Sequence, residues 1–136
     1  MKEDGNFCNF GEHLMIDGYR GNRNKLNDKK IVAEAFEETV KLCEMKKLAE
    51  PVIYFAQPNH IKDPGGWSGY VVIQESHISI HTFPARAFVS IDVYTCKNGL
   101  KKEEICAFFK DTFELEDLEV NFVKRGTRYP VADVVE

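Results

Sequence analysis

The stretch YVVIQESHISIHTFPARAFVSIDVYTC, residues 70–96, carries the clearest structural pattern in the chain. Apolar and polar side chains alternate through 77–83 and again through 86–96, as is typical of strands with one buried face. A further apolar run at 70–76 reads as a strand that precedes them. The Pro-Ala pair at 84–85 can form a tight turn because proline presets its φ angle. We therefore predict adjacent antiparallel strands, with the tip of the last hairpin at 84–85.

The segments on either side of this stretch add helices and further strands. Apolar residues spaced at three and four predict the helices, and short apolar runs bounded by Gly, Pro and Asn predict the strands. We predict strands at 10–19, 51–57 and 118–124, helices at 28–48 and 100–113, a Pro- and Gly-rich loop at 58–69 and an irregular tail from 125. This order favours one α+β domain over residues 1–136: a two-layer sandwich of a mainly antiparallel sheet with helices packed on one face.

The composition is that of a globular domain and does not favour nucleic-acid binding. Of 136 residues, 43% are hydrophobic and 29% are charged, and the formal net charge is −4. Lys and Arg are scattered, whereas nucleic-acid binding needs them in clusters. No apolar run approaches the ~20 residues of a membrane span, and the N-terminus lacks the apolar region of a signal peptide. We therefore predict a cytoplasmic protein with neither membrane nor nucleic-acid partners.

The sequence does not predict a metal site. The four cysteines lie far apart, without the C-x-x-C pair of zinc and redox motifs. His77 and His81 are four positions apart. On a strand that spacing separates the two side chains by ~13 Å, which is too far for them to share one zinc ion.

The dipeptide Glu75-Ser76 allows a self-cleavage reaction. A serine hydroxyl can attack the carbonyl carbon of the preceding peptide bond and convert the amide to an ester. Elimination then cuts the ester, and hydrolysis of the resulting dehydroalanine leaves a pyruvoyl group. The reaction needs a strained or well-positioned peptide, a base for the serine α-proton and polar groups that stabilise the tetrahedral intermediate. Any dipeptide that ends in serine could in principle undergo this reaction, so Glu75-Ser76 by itself is weak evidence for it. On the dipeptide alone, an ordinary serine at a strand end is the favoured interpretation.

The wider sequence around this pair is far more specific. ESHISIHTFP (75–84), with WSGYVVI before it and IDVYTC after it, resembles the S-adenosylmethionine decarboxylase proenzymes of bacteria and archaea. The resemblance extends from HLMIDGY (13–19) through RGTRYP (125–130). It implies an α/β sandwich that cuts itself into chains 1–75 and 76–136 and assembles as a homodimer of processed protomers. The implied activity is decarboxylation of S-adenosylmethionine, which supplies decarboxylated S-adenosylmethionine for spermidine and other polyamines.

The resemblance also implies roles for individual residues. Cleavage of the Glu75–Ser76 bond would turn Ser76 into the pyruvoyl cofactor, which forms a Schiff base with the amine of an amino-acid-type substrate and accepts electrons when CO₂ leaves. His81 would assist processing by removing the α-proton of Ser76, and Ser68 would help hold or protonate the processing intermediate. Cys96 would donate the proton that completes the product.

Each of these residues also has an ordinary structural interpretation. Cys96 and His81 could be strand residues with satisfied neighbours, and Ser68 could belong to a turn. Two further side chains are weaker candidates for contact with the substrate. Trp67 could stack on a purine base or simply pack against the protein. Ile78 could touch the substrate or belong to the core, and the core interpretation is favoured.

Strand geometry supports these roles only in part. With the hairpin tip at 84–85, Ser76 falls opposite Val93, which is ~10 Å short of Cys96. In an unbroken strand, the side chains of Ser76 and His81 also face opposite sides. A working site therefore requires a bend or bulge near residues 75–77.

One position departs from the family pattern. The family usually has a glutamate after the proline, suited to hydrogen bonds with ribose hydroxyls, and this chain has Ala85. Losing two charge-assisted hydrogen bonds costs roughly a few kcal/mol of affinity. Ala85 therefore leaves open an alternative, a pyruvoyl-dependent ornithine or arginine decarboxylase in which Glu12, Asp17 or Asp92 binds the distal cation. A non-catalytic regulatory homologue is a third possibility, but such a protein has no need of an intact processing set.

Overall fold

The computed structural model describes residues 7–59 and 64–134. Its strands are β1 (Phe7–Cys8), β2 (Gly11–Tyr19), β3 (Val52–Ala56), β4 (Gly66–Ile73), β5 (Ser76–Phe83), β6 (Phe88–Thr95), β7 (Asp117–Arg125) and β8 (Tyr129–Pro130). Its helices are α1 (Arg23–Leu26), α2 (Lys29–Leu42) and α3 (Lys102–Thr112), and a 3₁₀ turn spans Pro84–Arg86.

Six of the strands form one antiparallel sheet in the order β3-β4-β5-β6-β2-β7. Helices α2 and α3 pack against one face of it. Alternate residues of each central strand point toward the helices, and in β5 these include Ile78 and Ile80, both fully buried. The aromatic part of the core comes from the helices and includes Phe36 and Phe109. The predicted two-layer α+β sandwich is therefore confirmed. We call the sheet face that turns away from the helices the open face.

Helix α2 begins where the sequence predicts but ends six residues earlier. The Asp28 carboxylate caps it by accepting hydrogen bonds from the backbone N–H groups of Lys30 and Ile31. After Leu42 the chain turns back through Glu44, which has a positive φ of 57°. The next residues return to the sheet, where Lys47 forms a bridge with Ile73. The apolar spacing beyond Leu42 therefore belongs to a returning loop and not to a longer helix.

The hairpin between β5 and β6 has a longer connection than the sequence predicts. The 3₁₀ turn Pro84–Arg86 and Ala87, whose φ is 54°, lie between the paired residues Phe83 and Phe88. Because of this longer connection, His77 pairs with Tyr94. The predicted register would pair His77 with Asp92, two residues earlier on β6. The predicted pairing of Ser76 with Val93 is therefore wrong, and Ser76 lies level with Thr95.

The C-terminal tail also differs from the prediction. Instead of being irregular, it contributes β8, which pairs with β1 in a small two-stranded sheet. Tyr129 of β8 packs on Phe10, with ring centroids 5.1 Å apart. The predicted loop at 58–69 is wrong at its end, because residues 66–69 belong to β4, and the predicted strand at 70–76 is interrupted by the turn at residues 74–75. Residues 60–63 of the predicted loop lie outside the described residues.

Two classes of feature are not found in the part of the chain that the structure describes. No described helix combines the length and the apolar character needed to cross a membrane. Within residues 7–59 and 64–134, no three His, Cys, Asp or Glu side chains come together in a way that could hold a metal ion.

Candidate active site

The Glu75–Ser76 peptide bond lies at a tight turn. Gln74 and Glu75 form the whole connection between β4 and β5, because Ile73 and Ser76 are paired. Glu75 has a φ of 59°, in the left-handed region that residues other than glycine rarely adopt. Such a conformation costs on the order of 1 kcal/mol or more and is often found at functional sites. Ser76 itself is only 7% exposed. The bond proposed for cleavage therefore follows a strained residue and leads into a shielded serine.

Cys96 lies directly beside this turn. Its backbone N–H donates a hydrogen bond of 2.9 Å to Ser76 Oγ. Its thiol is oriented toward the carbonyl oxygen of Gln74, with Sγ and O 3.8 Å apart. The ~10 Å gap expected from strand counting does not exist, because the longer hairpin connection shifts β6 by two residues along β5. The register alone thus brings Ser76, Glu75 and Cys96 together.

Ser68 and His81 form a second pair elsewhere on the sheet. They are opposite each other in the β4–β5 ladder, and His81 Nδ1 and Ser68 Oγ are joined by a hydrogen bond of 3.0 Å. Both side chains are half-buried on the open face. Among the described residues, the other ring nitrogen of His81 has no hydrogen-bond partner. That nitrogen is therefore free to act on a group that approaches the open face.

The two pairs are far apart within one chain. His81 lies five residues beyond Ser76 on β5, a distance of about 17 Å along a strand. Strand β5 runs without interruption from Ser76 to Phe83, and its burial alternates throughout. The bend or bulge expected near residues 75–77 is therefore absent from β5, and the sharp turn comes before Ser76. Within a single copy, His81 cannot reach the α-proton of Ser76.

The open face carries a network of polar side chains. Asp92 accepts a hydrogen bond from Ser79 Oγ at 3.4 Å and lies 2.9 Å from His13 Nε2. Asp17 accepts one from Ser90 at 3.1 Å. Both carboxylates thus already have partners on this face, so either would have to exchange them in order to bind a substrate cation.

The two weaker candidates for substrate contact lie away from this network. The Trp67 indole N–H donates to the carbonyl oxygen of Asn27 at 2.9 Å, and its ring meets Phe55 edge-on at 5.2 Å. Trp67 alternates with Ser68 along β4 and so points to the helix side of the sheet. Ile78 is fully buried in the core. In this structure neither side chain shares a surface with Ser68 and His81.

Glu12 has a position that sequence reasoning did not anticipate. It is only 3% exposed, and its carboxylate accepts hydrogen bonds from the backbone N–H groups of Leu100 (2.9 Å) and Gly99 (3.2 Å) and from Lys124 Nζ (3.1 Å). Burial alone raises the pKa of Glu12, but these hydrogen bonds and the Lys124 charge outweigh it, so the pKa lies below its usual value. With its oxygens occupied, Glu12 is not available to bind a substrate cation. The only sequence signal was an acidic residue at a buried position of a predicted strand.

Comparison with known proteins places this chain in a family. A sequence model of the S-adenosylmethionine decarboxylase family matches residues 12–126. An S-adenosylmethionine decarboxylase proenzyme of Clostridium botulinum (strain Langeland) is 30% identical over 116 residues, covering 85% of this chain and 94% of the relative. Proenzymes of the same name from Pyrococcus horikoshii and Parasynechococcus marenigrum are also 30% identical. They cover 85% and 92% of this chain and 78% and 92% of their own lengths.

A solved structure supports the fold. The crystal structure of the adenosylmethionine decarboxylase from Aquifex aeolicus VF5 superposes with a TM-score of 0.74, covering 95% of this chain and 98% of that one. The two sequences are 24% identical. At this level of identity the match concerns the fold alone.

Proposed function

Because this chain belongs to the S-adenosylmethionine decarboxylase family, we propose that it cuts itself between Glu75 and Ser76 and then decarboxylates S-adenosylmethionine. The product is the aminopropyl donor for polyamine synthesis. The observation that carries the proposal is the strained Glu75 turn, with the Ser76 hydroxyl held by the Cys96 N–H at 2.9 Å. The single domain 1–136 would thereby become two chains, 1–75 and 76–136.

The surroundings of Ser76 fit the pyruvoyl group that this cleavage would generate. Residue 76 is shielded from bulk water, because Ser76 is only 7% exposed. A thiol lies at the adjacent turn. A pyruvoyl group binds the substrate's amine and accepts the electrons released when CO₂ leaves. The protein would then supply the shielding and, from Cys96, a proton for the product. The Cys96 N–H would act earlier, on the Ser76 oxygen that leaves with Glu75 during cleavage.

We further propose that the working site forms between two copies of the chain. His81 and Ser68 are about 17 Å from Ser76 of their own copy, and their side chains lie on the open face. The open face has no helix over it among the described elements, yet most of its side chains on β5 and β6, polar and aromatic alike, are half-buried. A two-fold axis between stacked open faces makes every contact reciprocal. Ser76 Oγ points to the helix side, so each copy would then supply Ser68 and His81 to the Ser76 turn of the other at the end of the sheet, where the chain turns and residue 76 can be approached past the edge of the open face.

Cys96 is proposed as the proton donor, and its removal is expected to separate cleavage from turnover. The Cys96→Ser variant keeps the backbone N–H that holds Ser76, so cleavage into two chains should proceed. Its kcat should fall by roughly 10²-fold or more, because positioned proton transfer contributes that much. Mass spectrometry measures cleavage, and CO₂ release measures turnover. A variant that turns over at the wild-type rate contradicts this role.

The substrate is tested most directly at Ala85. This residue lies in the 3₁₀ turn immediately after β5, at the same end of the sheet as Ser68 and His81. An Ala85→Glu variant would restore the family's usual carboxylate, and the KM for S-adenosylmethionine should fall by about 10-fold, the effect of one charge-assisted hydrogen bond.

The measurement is CO₂ release from S-adenosylmethionine, ornithine and arginine, each supplied alone. Arg86→Ala, at the neighbouring exposed position of the same turn, is the control and should leave the KM unchanged. Release from ornithine or arginine, with none from S-adenosylmethionine, would overturn the proposed substrate.

A further inference from the structure

The loop that follows Cys96 is tied down at its far end by a buried carboxylate. Residues 97–101 connect Cys96 to helix α3. The two oxygens of Glu12 each accept one backbone N–H of this loop, Leu100 at 2.9 Å and Gly99 at 3.2 Å. Glu12 lies on β2, 88 positions before Leu100 in the sequence, so this contact exists only in the folded protein.

The near end of the same loop is held just as closely. Thr95 is fully buried, and its hydroxyl accepts a hydrogen bond of 3.1 Å from the Lys97 backbone N–H. The backbone of β2 runs so close to this point that a Cβ atom on Gly11 would lie 2.0 Å from the Thr95 carbonyl oxygen and 2.8 Å from Cys96 Cα. Cys96 therefore sits between two anchored points, both supplied by β2 and its neighbour β6.

A carboxylate is a costly way to fill this position. Burying a charge is unfavourable unless the charge is paired and hydrogen-bonded, and an apolar side chain would complete a core more cheaply. Lys124 Nζ, 3.1 Å away, pairs with the Glu12 charge. The two amide hydrogen bonds, however, are made to a loop that directly follows Cys96, the residue proposed as the proton donor. The main contribution of the Glu12 carboxylate is therefore to fix the position of the loop, and not to fill the core.

We infer that Glu12 is a positioning residue, which holds residues 97–101 so that the Cys96 thiol stays at the turn between β4 and β5. The inference rests on the role proposed for Cys96 but concerns a different residue. Glu12 has no hydrogen bond to residue 76 among its contacts, which are with Gly99, Leu100 and Lys124. It acts through the loop, and its removal should displace a thiol that must be placed accurately for proton transfer.

The test is a Glu12→Gln variant of the full-length, self-processed protein, since glutamine keeps the shape and loses the charge. Hydrogen exchange at the Gly99 and Leu100 amides should become faster. Alkylation of Cys96 by iodoacetamide, followed by mass spectrometry, should accelerate several-fold. The kcat should fall roughly 10- to 100-fold with little change in KM, because displacing a reacting group by about 1 Å has effects of that size.

A matched control is Glu44, a carboxylate in the turn after α2 that also binds this loop, through Lys101. Glu44 pairs with Lys101 at 2.8 Å, but both side chains are exposed, so Glu44→Gln should leave exchange, alkylation and kcat at wild-type values. Should Glu12→Gln fail to fold, Glu12→Asp keeps the charge and withdraws it from the loop by one methylene. We expect Glu12→Asp to change hydrogen exchange, Cys96 alkylation and kcat in the same directions as Glu12→Gln, but by smaller amounts.

Two outcomes separate this inference from the proposed function. Faster exchange at Gly99 and Leu100, with Cys96 alkylation and kcat unchanged, would show that the loop does not place the thiol and would overturn the inference. A Cys96→Ser variant at full activity would refute the proton-donor role instead. In that case, altered Cys96 alkylation in Glu12→Gln would still support the positioning.

Discussion

Replacing Ser76 with alanine is expected to leave a single uncut chain of 15.6 kDa with no decarboxylase activity. Alanine has no hydroxyl to attack the Glu75 carbonyl, and without cleavage no pyruvoyl group forms at residue 76. The fold should persist, because the substitution removes one oxygen atom and leaves the β4–β5 turn intact. The hydrogen bond from the Cys96 N–H is lost, at a cost of about 1 kcal/mol.

Ser79 offers a matched control for this variant. It lies on the same strand, but its side chain is on the open face and bonds only weakly to Asp92. Ser79→Ala should be cut as completely as the wild type, as judged by intact-mass measurement of purified protein. Chains of 1–75 and 76–136 in the Ser76→Ala sample would refute Ser76 as the nucleophile. An uncut wild-type protein would instead favour the non-catalytic regulatory homologue.

Two inactive variants, Ser76→Ala and His81→Ala, are expected to restore activity when they are expressed together. In a mixed dimer, the His81→Ala copy keeps Ser76 and the Ser76→Ala copy keeps His81, so one of the two sites regains both groups. Random pairing makes half of the dimers mixed, which gives about a quarter of wild-type activity. Each variant alone is expected to have essentially no activity, so this recovery is a large effect. If Ser76 and His81 acted within one copy, no mixed dimer would hold a complete site.

The control uses two residues that the structure places side by side in one copy. Ser76 and Cys96 are linked by a hydrogen bond of 2.9 Å. Co-expression of Ser76→Ala with Cys96→Ala should therefore restore nothing, since neither site of a mixed dimer would hold both groups. Activity is measured as CO₂ release, and cleavage is followed by intact mass in the same samples. No recovery from the first combination would contradict a site shared between copies.

Most of the fold follows from local patterns in the sequence. Alternation in β5 and β6 predicts which side chains face the core. Asn27 and Asp28 both predict a cap at the start of α2, and the structure uses Asp28. The ends of elements are less predictable, because they depend on contacts with distant segments. Helix α2 ends where Lys47 returns to pair with Ile73, and no local signal at Leu42 marks that event.

The residues of the candidate site were predictable as a set, but their grouping was not. Ser76, Ser68, His81 and Cys96 all lie in a short, specific stretch of the chain. Which of them are in contact depends on the connection at residues 84–87. In this connection Ala87 adopts a left-handed conformation, which is not predictable from the sequence because alanine rarely adopts it. Two extra residues in that connection move β6 by two positions, which closes the gap between Ser76 and Cys96.

The chemistry open to this protein was therefore readable in its sequence, since a reactive dipeptide and its neighbours are properties of residue type and order. The alternation of side chains was readable too, and it already set Ser76 and His81 on opposite faces of one strand. Only the folded chain shows that β5 stays straight, that Cys96 reaches the turn, and that the Glu12 carboxylate binds amides 88 positions away. The physical reason is that strand register and long-range hydrogen bonds arise from the packing of the whole sheet, which no local segment encodes.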